Sequence, residues 1–117
     1  MYKGEIMSDM LISALNANGI LLANASSNVA NVNTRDYKSL RTTITEGANG
    51  IPGVSTTRTA VEGTPTEDGH QTSNVELSQE FTDMILARRG FESALTAIET
   101  REEMMADLMK EFSSGGE

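Results

Sequence analysis

From Leu77 to Met109 this chain repeats one rhythm without a break. Leu77, Phe81, Met84, Arg88, Phe91, Leu95, Ile98, Glu102, Met105 and Met109 follow one another at alternating steps of four and three. Eight of the ten are apolar, which is the signature of a helix packed lengthwise against another helix. Ser73 and Glu76 have the spacing of a capping box, so the helix is expected over 74–112 and is expected to end at Ser113–Gly116. At 1.5 Å per residue it would be roughly 58 Å long.

A second seam lies near the other end. Leu11, Leu15, Asn18, Leu22, Ala25, Val29 and Val32 keep the same 4-3 spacing and predict a helix over 7–33. Asn18 is the polar member, able to fix register by pairing with another polar group. Asn31, Asn33, Thr34 and Asp36 supply turn chemistry beyond it. Paired antiparallel, a helix of roughly 40 Å cannot cover one of roughly 58 Å, so apolar surface is left for other molecules.

The segment between has a different composition. Pro52, Pro65 and many Thr and Gly residues fall within 38–73. Lys38–Glu46 and Val54–Glu62 alternate loosely, with Asn49-Gly50 between them, which predicts a small β-hairpin; disorder of the whole stretch is the competing expectation. Gly63–Ser73 reads as a polar, flexible connector. The expected fold class is therefore mainly α: long N- and C-terminal helices forming an antiparallel coiled-coil pair, with a small β-hairpin or disordered insertion. Residues 1–37 and 74–117 would form one coiled-coil rod domain, and 38–73 the hairpin and connector.

Composition narrows the function. Of 117 residues, 38% are apolar and 4% aromatic, too few large side chains for a self-sufficient compact core. The net charge is −8, and residues 75–117 carry ten acidic against four basic side chains, which disfavours a nucleic-acid partner. Without cysteine there is no thiol catalysis and no zinc thiolate site. His70 stands alone in a polar loop, so no nucleophile–base pair can be assembled around it. No enzyme activity, cofactor or metal is expected. No apolar run reaches the length of a membrane span, and no cleavable signal peptide is evident, since Glu5, Ser8, Asp9 and Asn16 interrupt the first residues.

Arg88 and Arg89 sit on and beside the second seam. Either their stems cover apolar surface while their heads reach water, or one of them anchors an interfacial carboxylate. The four methionines of the second helix, Met84, Met104, Met105 and Met109, suit an interface. The residues expected to form it are Leu11, Leu15, Asn18, Leu22 and Val29 on the first helix. On the second they are Phe81, Met84, Arg89, Phe91, Leu95, Ile98 and Met105.

Two stretches carry a resemblance. Ser13-Ala14-Leu15-Asn16-Ala17, followed by Asn28-Val29-Ala30-Asn31 and then Thr34 and Tyr37-Lys38, resembles the N-terminal signature of the flagellar rod and hook family. Arg35-Asp36 stands where that family usually has Pro-Gly or a similar pair, and Asp tolerates turn and left-handed positions. Asn74-Val75-Glu76-Leu77, Glu80-Phe81, Met84-Ile85 and Arg89-Gly90-Phe91-Glu92 resemble its C-terminal signature. Arg88 replaces a usual Gln and Gly90 a usual Ala. The short length is similar to that of the proximal rod proteins.

The resemblance implies a structural subunit of the flagellar basal body rod, in the axial shaft that crosses the periplasm. It implies partners among other rod subunits and copies of itself, and passage through the flagellar type III export apparatus without signal cleavage. Asn28, Ala30, Asn31, Thr34, Tyr37 and Lys38 are the residues carried over from the family motif. The rival reading is a cytoplasmic helical-hairpin adaptor or export chaperone.

Overall fold

The structure, a computed structural model, describes residues 3–115. Helix α1 spans Lys3–Ala30, strand β1 Leu40–Glu46, strand β2 Pro52–Arg58 and helix α2 Leu77–Gly115. The expected helix end at Ser113–Gly116 lies partly outside the described residues.

The Ala-rich α1 closes where Asn31 N–H reaches the carbonyls of both Ser27 and Asn28, each at 3.1 Å, and Val32 N–H that of Val29 at 3.2 Å. These are the tightened bonds of a fraying last turn, so the helix stops short of residue 33. Ser73 Oγ accepts from Val75 N–H at 3.3 Å, and α2 starts three residues later than 74. Ser73 thus shapes a turn ahead of the helix.

β1 and β2 pair antiparallel from Leu40↔Arg58 to Glu46↔Pro52. The β-branched residues Thr42, Thr43, Ile44, Thr45, Val54, Thr56 and Thr57 account for the extended backbone. The turn is a short 3-10 segment, Ala48–Gly50, closed by Gly47 N–H to the Ile51 carbonyl at 2.8 Å, with Gly50 at φ 74°. That closure starts β2 at Pro52 rather than Val54.

The mainly α expectation, a coiled-coil pair with a hairpin or disordered insertion, is corrected by this architecture. The molecule is two helices plus an antiparallel two-stranded sheet, and the insertion takes the hairpin form. Residues 63–72 form a second small turn, closed by a bridge between Pro65 and Gln71 and by Thr72 N–H to the Thr64 carbonyl at 2.9 Å.

The helices run antiparallel: Asn28 meets Glu80, Asn18 lies over Gly90, and Ser8 bonds Arg101. Among the described residues the buried apolar positions are Ala17, Ala25, Ala87 and Ala94. Small side chains let the two backbones approach closely. The contact line on α2 therefore follows Glu80, Ala87, Ala94 and Arg101, spaced seven apart, one residue to the side of the large apolar seam. The hairpin lies along the flank of α1, where Asn24 Nδ2 donates to Thr42 Oγ1 at 2.8 Å and to Thr56 Oγ1 at 3.0 Å.

The result is a slat of 82 × 24 × 14 Å with a radius of gyration of 20.6 Å. A compact chain of this length would have about 13 Å. No described helix is long and apolar enough to cross a membrane.

Candidate assembly surface

Two features stand out. One is a buried polar node that ties α1, β1 and α2 together. The other is an apolar stripe that nothing among the described residues covers.

Asn28, 1% exposed, is the centre of the node. Its Nδ2 donates to the Leu40 carbonyl and to Glu80 Oε2, both at 2.9 Å. Its Oδ1 accepts Leu40 N–H at 2.8 Å and Tyr37 Oη–H at 2.9 Å. The side-chain amide thus pairs with both backbone groups of Leu40, as a neighbouring strand would. Glu80, also buried, is bonded by Arg41, whose Nη1 lies 3.8 Å from Asp83 Oδ2. Partial burial raises the Asp83 carboxyl above its ordinary pKa, the Glu80 charge adds to the rise, and Arg41 opposes it. Asn74 Oδ1 accepts Ser39 N–H at 2.8 Å, and Asn74 N–H donates to the Tyr37 carbonyl at 3.2 Å. Every buried side-chain polar atom among the described residues has a partner.

The other motif residues surround this node. Ala30 closes α1. Asn31 Nδ2 donates to the Ser27 carbonyl at 2.8 Å, and Thr34 Oγ1 donates to Asn31 Oδ1 at 2.9 Å. Lys38 Nζ donates to Gln71 Oε1 at 2.6 Å, and the Arg58 guanidinium lies 5.4 Å from the centre of the Tyr37 ring.

Asp36 takes φ 60°, the left-handed conformation its side chain tolerates. Its carboxylate accepts Gln71 N–H at 2.8 Å and meets His70 Nδ1 at 2.7 Å. The backbone bond from Gln71, then the His70 contact, hold its pKa below the ordinary value.

The uncovered stripe runs along α2. Phe81 is 50% exposed, Leu95 40% and Phe112 72%, and Ile85, Leu86, Phe91, Met104, Met105, Leu108 and Met109 are exposed too. Leu22, Phe81, Met84, Ile85 and Arg88 line an apolar groove, and Met10, Leu11, Ala97 and Arg101 a second recess. Leu11, Leu15, Asn18, Val29, Met84 and Ile98 are half-buried, whereas Leu22 is exposed. Arg88 Nε pairs with Glu92 one turn on at 3.1 Å, and Arg89 is exposed. Of the residues expected at one interface, the structure sets Asn18 against Gly90 and Leu11 beside Ala97 and Arg101, and brings Leu22, Phe81 and Met84 to one groove, while Leu15, Val29 and Ile98 are half-buried. It leaves Arg89, Phe91, Leu95 and Met105 exposed, and Phe81 half open to solvent at the groove.

Residues 71–111 match the family described as flagellar basal body rod FlgEFG protein C-terminal. The chain resembles the flagellar basal body rod proteins. No curated protein matches it. The matched rod segment contains Asn74, Glu80, Asp83 and the alanine line of α2, so the α2 side of the node lies within it, and so does most of the uncovered stripe. The rod family is structural, and the resemblance supports a place in the basal body.

Sequence reading by apolar period misses Glu80, Arg41, Asn74 and Gly90. The available signal was the seven-residue recurrence of Glu80, Ala87, Ala94 and Arg101 beside the larger residues. Period alone favours the large side chains, because it scores apolarity and not how closely two backbones can approach. Among the described residues no cluster of His, Asp and Glu is placed to hold a metal ion.

Proposed function

We propose that this chain is a non-enzymatic structural subunit of the flagellar basal body rod, built into the shaft by polymerisation through its two helices. The observation that carries the reading is the uncovered apolar stripe of α2, which falls largely within the rod-family segment. A monomer gains nothing from exposing Phe81, Leu95 and Phe112 to water, whereas packing against neighbours would remove that area at about 25 cal/mol per Å². Neighbours are other rod subunits and further copies of this chain. An open, non-closing contact between them generates a helical shaft. In this reading residues 38–73 face outward and set each subunit's angular position. Export runs through the flagellar type III apparatus without signal cleavage, and the assembled rod crosses the periplasm.

Leu95→Asp tests the reading in cells. Leu95 is 40% exposed, so the substitution places a charge on the stripe without emptying a core position. Export should continue, and mass spectrometry of purified hook–basal bodies should find the unmodified chain at several copies per particle and the variant absent. Normal incorporation of the variant would overturn the role given to the stripe. Absence of the unmodified chain from intact particles would favour a cytoplasmic adaptor or export chaperone.

A further inference from the structure

The alanine line of α2 repeats every seven residues. By itself it does not say how far along α1 the second helix should sit. Sliding α2 by one heptad would bring Ala94 to the place of Ala87, so the alanine line alone does not distinguish the two alignments. Such near-degenerate seams need polar or steric markers to select one alignment.

Two markers break the repeat. A Cβ at Gly90 would lie 2.7 Å from Asn18 Cγ and 2.8 Å from Asn18 Nδ2, so any larger residue there requires the Asn18 amide to leave its present place. Asn18 is held there by its own bond to the Ala14 carbonyl at 2.9 Å. Slid by one heptad, Asn18 would face Asp83 or Ala97, each with a Cβ. Ten residues away, buried Glu80 takes its bonds from Asn28 and Arg41. After the same slide, Asn28 would face Ala87 or the chain ahead of α2, and the Glu80 carboxylate would lose its amide partner. A buried carboxylate stripped of partners is strongly disfavoured.

We infer that Gly90, as a notch for Asn18, and Glu80, as the anchor of Asn28, are the specificity-determining residues within the helix pair that fix the axial register of α2 on α1, acting with the Asn74 tie ahead of α2. They thereby decide which apolar residues the subunit presents. The inference rests on the geometry within one chain and stands whether or not the subunit polymerises.

The chain has no cysteine, so introduced thiols report register cleanly. With Ser8→Cys in α1, partner cysteines replacing Arg101, Ala94 or Leu108 in α2 read the present register and its two one-heptad slips. A short bifunctional thiol reagent should join the 8–101 pair of the otherwise unchanged chain and leave the other two pairs unjoined. In Glu80→Leu/Gly90→Ala, with helicity checked by circular dichroism, the 8–101 yield should fall roughly tenfold, with product appearing at 8–94 or 8–108. An unchanged 8–101 yield in that variant would overturn the inference.

A second comparison keeps the test open if the double variant unfolds. Alanine in place of a mid-helix glycine ordinarily stabilises. Gly90→Ala alone should instead lower the melting temperature, and adding Asn18→Ala should reverse the sign. Stabilisation by Gly90→Ala with Asn18 intact would remove the notch from the argument.

Discussion

Asn28→Ala tests the node directly. Asn28 makes four hydrogen bonds at 2.8 to 2.9 Å, and truncation removes all of them. Two of its partners have other recourse. Tyr37 Oη lies 3.4 Å from Ser27 Oγ, and Glu80 retains Arg41. The N–H and carbonyl of Leu40 have none, because they face α1 while the flanking Ser39–Thr59 pair makes the ladder bond at 3.0 Å. Each of these half-buried backbone groups left unpaired costs about 1–3 kcal/mol, so the variant should lose about 2–6 kcal/mol. Domains of ordinary stability have about 5–15 kcal/mol in all, which makes this a large share. Urea unfolding followed by far-UV circular dichroism should show the midpoint falling by about 1–3 M at typical urea slopes. Hydrogen exchange should quicken first at Leu40 N–H. A loss under about 1 kcal/mol, with Leu40 still protected, would refute the view that Asn28 acts as a surrogate strand.

Two further outcomes follow from the loop beside the node. Because the folded Asp36 carboxyl has a lowered pKa, its ties to Gln71 and His70 contribute fully above its ordinary value of 3.8 and fade as pH falls below it. Protection of Gln71 N–H, its exchange measured against the intrinsic rate at the same pH, should therefore fall in acid, and Asp36→Asn should flatten that dependence; an acid profile of protection unaltered by the substitution would contradict it. Gly63→Ala would drive a Cβ into the Thr72 backbone carbonyl. It should cost about 1–3 kcal/mol and expose Thr72 N–H to exchange, and a neutral result would mean the turn relaxes freely.

Much of the architecture was legible in the residues themselves. Period gave two long helices, because apolar spacing of four and three is a local property. The β-branched stretches around Asn49-Gly50 marked a hairpin for the same reason, and Asp36 was readable as a residue able to take a left-handed turn. The deficit of large buried side chains was also present in the composition.

Only the folded chain decided which faces meet. The 4-3 pattern admits two neighbouring lines on α2, one of large residues and one of small. The small line packs against α1 because Ala17, Ala25, Ala87, Gly90 and Ala94 permit close backbone approach. Phe81 and Leu95 are thereby turned outward. Glu80 illustrates the limit most plainly: on a helical wheel it is a charged neighbour of the seam, yet it is buried because Asn28 and Arg41, 52 and 39 residues away in sequence, converge on it. Local spacing carries no record of such convergence, since burial of a charge becomes tolerable only when distant partners arrive together.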